Sequence, residues 1–263
     1  MPTDLYQYAL VADLYDFVHP YRNRPDIDFF VEAATNAGGP VLELGCGTGR
    51  VLIPTARAGI AITGLDASPH MLAICRQRLS DEPETVRSHV TVVQGDMRNF
   101  DIDETFNLVT IPFRPLQHLL TTDDQLSCLE CIRGHLAAGG HLVFDVFNPS
   151  LEALVNGPFE EESDAEPEFT MPDGRRVVRR HRTARPDRFL QVGQYELIYE
   201  VTHPDGREER MMHAFPLRYF FKFEIEHLLA RVGFAVEHVY AEFDKSPYGS
   251  SYPGELIVVA TRL

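Results

Sequence analysis

The amino-acid sequence predicts an α/β fold: a Rossmann-like sheet of mostly parallel strands with helices on both faces, plus a small inserted antiparallel β-sheet. Three observations predict it. Short apolar strand patterns alternate with helical patterns between Pro40 and Phe147, the rhythm of βαβ units. A glycine-rich turn, Gly45-Cys-Gly-Thr-Gly49, joins the first strand to the following helix. Beyond Ser150 the rhythm breaks, and strand patterns are joined by Pro186-Asp187 and Pro204-Asp205-Gly206, which are hairpin turn sequences.

Each element follows from local chemistry. Leu5 to Tyr21 has apolar and aromatic residues at mixed spacing and is expected to be helical in part. Pro25 opens a second helix that ends at Gly38-Gly39. Pro40 to Gly45 reads as a short buried strand, and a helix is expected from Thr48 to Ala58, ended by Gly59. Ile60 to Leu65 is the next strand. Ser68-Pro69 caps a helix continuing from Met71 to Leu79. His89–Gln94 and Phe106–Ile111 are strands. Asp123–Leu136 is a helix, Gly139-Gly140 a turn, and His141–Phe147 a fifth strand. Strands at Val177–Arg182, Phe189–Thr202 and Arg207–Phe215 form the insertion. A helix at Lys222–Val232 and strands at Val236–Phe243 and Glu255–Thr261 complete the chain. The domain reading is therefore a main domain of residues 1–150 and 216–263, with residues 151–215 as an inserted cap.

Composition limits the partners. The formal net charge of -15 over 263 residues opposes binding to phosphate backbones, so no nucleic-acid partner is expected. No apolar run approaches the roughly 18 residues that span a bilayer, so no membrane partner is expected either. The N-terminus lacks the pattern of a secretion signal, and Cys46, Cys75, Cys128 and Cys131 do not form a disulfide framework. A cytoplasmic location follows as the expectation. Cys128-Leu-Glu-Cys131 stands alone in a helix, without the second pair a structural metal site needs, and no metal is expected.

The glycine turn is where chemistry concentrates. Glycines at 45, 47 and 49 let the backbone turn sharply or approach a ligand closely, and the helix behind them presents its positive dipole end. The dinucleotide fingerprint G-x-G-x-x-G would need glycine where Arg50 stands. Asp66 ends the second strand, where a carboxylate can accept from both hydroxyls of a ribose. Taken alone it could equally cap a helix. Gly95-Asp96-Met97 ends the third strand: an Asp there can accept from an exocyclic amine, and a Met can pack on a purine. Together these residues sketch a nucleoside pocket along the carboxyl edge of the sheet.

Val41-Leu-Glu-Leu-Gly-Cys-Gly-Thr-Gly-Arg50, Gly64-Leu-Asp-Ala-Ser-Pro-His-Met-Leu72 and Gln94-Gly-Asp-Met-Arg-Asn-Phe100 resemble, in order and spacing, the cofactor motifs of class I S-adenosylmethionine-dependent methyltransferases. The resemblance covers roughly residues 10 to 150 and resumes at 222. It implies that Gly45 and its neighbours Glu43, Cys46 and Gly47 hold the methionine part of the cofactor. It assigns the ribose to Asp66 beside Ala67, and the adenine to Asp96 with Met97. Ile111 would lie beside the methionine part. The order of the inserted sheet is similar to small-molecule methyltransferases of natural-product pathways, including N,N-dimethyltransferases of nucleotide-linked amino sugars. In those an N-terminal segment closes over the cofactor, which implies that Tyr15 and Arg24 lie near it.

The expected function is transfer of a methyl group from S-adenosylmethionine, leaving S-adenosylhomocysteine, to a small-molecule acceptor, an amine or hydroxyl of a natural product or sugar nucleotide. In-line transfer between two aligned reactants needs a base only if the acceptor arrives protonated. His118, after the fourth strand, is the candidate base; Arg114 and Tyr219 are candidate acceptor contacts. Each has an alternative: His118 packing on a helix, Arg114 exposed, Tyr219 in a sheet core. The arginines from Arg175 to Arg188 suit an anionic acceptor, or else a solvated sheet face paired with glutamates. An NAD-dependent dehydrogenase and a non-catalytic S-adenosylmethionine-binding protein are the rival readings.

Overall fold

A computed structural model describes residues 11–263; the expected helical stretch from Leu5 to Leu10 lies outside them. In chain order the elements are α1 (His19–Arg22), α2 (Ile27–Ala37), β1 (Val41–Leu44), α3 (Leu52–Arg57), β2 (Ile62–Asp66), α4 (Pro69–Ser80), α5 (Glu84–Arg87), β3 (Val90–Gln94), β4 (Phe106–Ile111), α6 (Thr122–His135), β5 (Leu136–Phe147) and α7 (Leu151–Asn156). Then follow β6 (Phe169–Thr170), β7 (Arg176–Thr183), β8 (Val192–Thr202), β9 (Glu208–Arg218), α8 (Lys222–Arg231), β10 (Phe234–Tyr240) and β11 (Glu255–Arg262). They form two compact units, residues 25–150 with 219–263 and residues 11–24 with 151–218.

The larger unit is a seven-stranded sheet in the order β10-β11-β5-β4-β1-β2-β3. Strands β5, β4, β1, β2 and β3 run parallel, and β11 is antiparallel to both β5 and β10. Alternation along the central strands builds two cores. Leu42 and Leu44 of β1, Val109 and Ile111 of β4, and Phe144 and Val146 of β5 face one core with Leu129 of α6 and Leu229 of α8. Val41, Leu108 and Val143 face the other with Phe30 of α2, Ile53 of α3 and Leu72 of α4. This is the period-2 pattern of strands buried on both faces. Chain order reverses between β1 and β4, so the crevice at their carboxyl ends is the ligand position of an open α/β sheet.

The smaller unit is a four-stranded antiparallel sheet in the order β6-β7-β8-β9. Val11, Leu14 and Val18 pack on Val177, Tyr199 and Val201 of that sheet. The sequence reading assigned the N-terminal stretch and residues 216–218 to the main domain. Apolar contacts group residues 11–24 with the antiparallel sheet instead, and β9 pairs through Arg218.

Differences from the sequence reading are local. Helix α3 begins at Leu52, not Thr48, because Gly47 and Gly49 take positive φ of 53° and 83° and hold the chain in turns up to Val51. Gly139-Gly140 falls inside the span of β5, where a register irregularity against β4 absorbs the positive φ at Gly139. Helices α5 and α7 and strand β6 were too short for a periodic signal. No helix among the described residues is long and apolar enough to cross a membrane.

Candidate active site

The glycine loop folds as its residue types require. The N–H groups of Gly45 and Cys46 both donate to Leu65 O, at 2.7 and 3.1 Å, tying the loop to the end of β2. Gly45 has φ +70°, and a Cβ there would sit 2.6 Å from Pro115 Cγ. A Cβ on Gly49, at φ +83°, would meet Cys75 Sγ at 2.9 Å. Cys46 is buried beneath the loop, and burial raises its thiol pKa well above the ordinary value.

Asp66 closes the loop from β2. Its carboxylate accepts from the backbone N–H of Gly47 and of Ser68, each at 2.8 Å, so it orders the turn and the start of α4 together. Burial raises the Asp66 pKa, and these two bonds oppose the rise. Ala67 beside it is half-buried.

Behind the loop lies a buried charge cluster. Glu43, at 2 % exposure, has one oxygen, Oε2, with no hydrogen-bond partner among the described residues. Burial pushes its carboxyl up to about 8, against the pull of the Arg50 charge. Arg50 itself is held by Asp26, a fully buried residue at the start of α2, through two bonds of 2.6 Å. The Arg50 guanidinium also lies over the Phe113 ring, 5.0 Å from its centroid. Phe113 donates its N–H to buried Asp145 of β5 at 2.7 Å. Sequence reading missed Asp26, Arg50 and Asp145 as parts of this site. Arg50 entered only as a departure from a glycine pattern, and no spacing rule links it to Asp26.

At the end of β3, Asp96 is half-buried and bonded to Arg98, whose Nε lies 3.0 Å from both carboxylate oxygens. Those bonds hold its carboxyl below the usual range. Arg98 also reaches Asp124 at 3.1 Å. Met97 packs against the core beneath the strand end. Ile111 is fully buried, and its side chain belongs to the same core.

After β4, Phe113 and Arg114 both have positive φ, 67° and 74°, and lead into a 3-10 turn, Pro115–His118. His118 ends that turn, half-buried, rather than lying on a helix face. Arg114, expected as an acceptor contact or else exposed, is half-buried. It is ion-paired with Glu255 of β11 at 2.7 and 2.9 Å and lies over the Phe147 ring at 5.6 Å. Tyr219 is 4 % exposed and meets the Phe221 ring edge-on at 6.0 Å.

Two expected site residues belong to the smaller unit. Tyr15 begins a 3-10 turn with its ring 4.8 Å from that of Tyr21, and Arg24 follows α1. In that unit the arginine cluster is largely paired. Arg175 binds Asp13, Arg179 binds Glu166 and Arg182 binds Glu196, at 2.5 to 2.6 Å, while Arg188 donates to Leu154 O at 3.0 Å. Most of the positive charge that stood out in sequence is met by acids of the same unit.

A switch-point crevice with a glycine loop, an acid ending β2 and an acid just beyond β3 makes up the candidate site. Residues 41–140 match the methyltransferase domain family. Among its relatives is the dTDP-3-amino-3,6-dideoxy-alpha-D-glucopyranose N,N-dimethyltransferase of Streptomyces fradiae, 31% identical over 141 residues, 51% of this chain and 52% of the relative. The chain spans about half the length of the first curated relatives it matches. Its fold is that of the CcbJ methyltransferase of Streptomyces caelestis, with TM-score 0.75, 24% identity, and 96% of each chain covered. It also resembles an S-adenosylmethionine-bound amino pentose methyltransferase of Micromonospora echinaspora involved in calicheamicin biosynthesis, with TM-score 0.66, 24% identity, and 100% and 98% of the two chains covered.

The residues present fit that cofactor. The loop has no room for a Cβ at Gly45, and Glu43 holds a buried oxygen with no partner among the described residues beside the loop. Asp66 stands at the strand end with a carboxylate already oriented by two N–H groups.

Proposed function

We propose that this chain transfers a methyl group from S-adenosylmethionine to an amine of a small-molecule acceptor of the sugar-nucleotide or natural-product class. The observation that carries this reading is the 31% identity to an amino-sugar N,N-dimethyltransferase across the cofactor-binding half, joined to an added antiparallel sheet. When bound, the cofactor supplies a methyl group activated by its sulfonium. The protein's part is to bind and orient. Gly45, Cys46, Gly47 and Glu43 receive the methionine part, Asp66 and Ala67 the ribose, and Asp96 with Met97 the adenine, with the backbone at Ile111 beside the methionine part. Roles for Tyr15 and Arg24 rest on the family resemblance.

An amine that arrives as an ammonium must lose a proton before it attacks, and His118 is the proposed acceptor of that proton. Tyr219 is proposed to shape the acceptor side from within the core. Arg114 enters together with Glu255. The pair carries no net charge, which favours an acceptor chosen by hydrogen bonding over one chosen by an acidic group. The dehydrogenase alternative gains nothing, because the position that needs glycine holds an arginine bonded to a buried aspartate.

Incubation with S-adenosylmethionine and a panel of dTDP-amino sugars tests the proposal. S-adenosylhomocysteine formation with a mass gain of one or two methyl groups on the sugar supports it. Methylation only of a hydroxyl, or no turnover across the panel, would refute the amine assignment.

A further inference from the structure

Three carboxylates and one guanidinium meet around the glycine loop. Arg50 gives both terminal nitrogens to Asp26 at 2.6 Å, so its charge is spent on a fully buried partner. Asp66 accepts two backbone N–H groups, which support its anion. Glu43 has no equivalent. The Leu52 backbone favours its ionised form, but Oε2 is buried with no hydrogen-bond partner among the described residues, and Asp26 and Asp66 both oppose a third negative charge. A buried anion so placed is costly, and the carboxyl stays protonated instead.

We propose that binding of the cofactor at the glycine loop expels a proton from Glu43, so that cofactor capture and Glu43 ionisation are one event. This inference rests on the cofactor reading above. The amino-acid end of the cofactor brings an ammonium, a counter-charge beyond the partial pull of Arg50. The Glu43 O–H bond breaks, the proton passes to solvent buffer, and the carboxylate remains beside the incoming cation.

The groups facing Glu43 single it out. Asp26 faces it from the start of α2, Arg50 and Cys46 from the loop, Asp66 from β2 and Cys75 from α4. Burial drives the thiol of Cys75 up to about 12 and that of Cys46 upward as well, so both stay neutral at neutral pH. Glu43, pushed up to about 8, changes charge within the neutral range.

Calorimetric titration with S-adenosylhomocysteine in phosphate and in Tris, at about pH 7, counts the protons released, because the two buffers differ in ionisation enthalpy. Release of about one proton per ligand is expected, with affinity tightening about tenfold per pH unit up to about pH 8 and levelling above it. Methylthioadenosine, which lacks the amino-acid end, should bind with no buffer dependence. Glu43→Gln should bind S-adenosylhomocysteine with no proton release. Equal heats in both buffers for the wild-type protein would overturn the inference, as would equal release with methylthioadenosine or with Glu43→Gln. If Glu43→Gln does not fold, the two ligands on the wild-type protein decide the matter. Absence of S-adenosylhomocysteine binding would instead sink the cofactor reading, and the inference with it.

Discussion

Asp26 and Arg50 face each other through two 2.6 Å bonds, with Asp26 fully buried and the Arg50 side chain at 12 % exposure. The pair joins the start of α2 to the end of the glycine loop. A planar guanidinium matches a carboxylate in this two-pronged geometry, and lysine does not.

Arg50→Ala leaves Asp26 buried and uncompensated. The expected loss is about 3–5 kcal/mol of stability. Urea unfolding should show the midpoint falling, while the double variant Asp26→Asn/Arg50→Ala recovers part of the loss. Equal stability of Arg50→Ala and wild type would show that the pair contributes nothing.

Asp66→Ala removes the acceptor for Gly47 N–H and Ser68 N–H as well as the proposed ribose contact. Each charge-assisted bond contributes about 1.5–3 kcal/mol, so S-adenosylhomocysteine should bind more than about tenfold more weakly. Unchanged affinity by calorimetry would remove Asp66 from the cofactor site.

Gly45→Ala meets two obstacles, a left-handed φ of +70° and Pro115 Cγ at 2.6 Å. The loop must shift to admit the methyl group. Loss of S-adenosylhomocysteine binding with near-native far-UV circular dichroism is the expected outcome; native affinity would mean that the loop is not held as tightly as this geometry requires.

His118→Ala should lower turnover while leaving S-adenosylhomocysteine affinity unchanged, and the deficit should shrink at high pH, where an amine acceptor arrives unprotonated. A deficit independent of pH would assign His118 a packing role.

His213 lies at 4 % exposure in β9, and burial lowers its pKa from 6.5 to about 4. The unfolded chain therefore binds a proton that the folded chain refuses between those values. Stability tied to His213 is complete above pH 6.5 and is lost as pH falls toward 4. Thermal unfolding of His213→Leu should lose less stability than wild type across that interval. Parallel pH profiles would show that other groups govern the acid limb.

The sequence by itself determined the parallel sheet, the glycine loop and the strand-end acids. These are local signals: period-2 apolar residues that fill both cores, glycines that alone tolerate positive φ, and acids at fixed positions after a strand. Only the tertiary structure decided the partners of the charged residues. Arg114 and Glu255 are 141 residues apart in the chain, and Arg50 and Asp26 are 24 apart. The arginine-rich β7 left open an anion site or a solvated face paired with glutamates, and the pairing of strands set glutamates beside it. Element type follows from backbone and side-chain preferences within a few residues. A buried charge takes its meaning from whatever the fold places within about 4 Å, where Coulomb and desolvation energies are largest. That is why the glycine loop could be read before the fold was known, and why the buried oxygen of Glu43 behind it, with no partner among the described residues, could not.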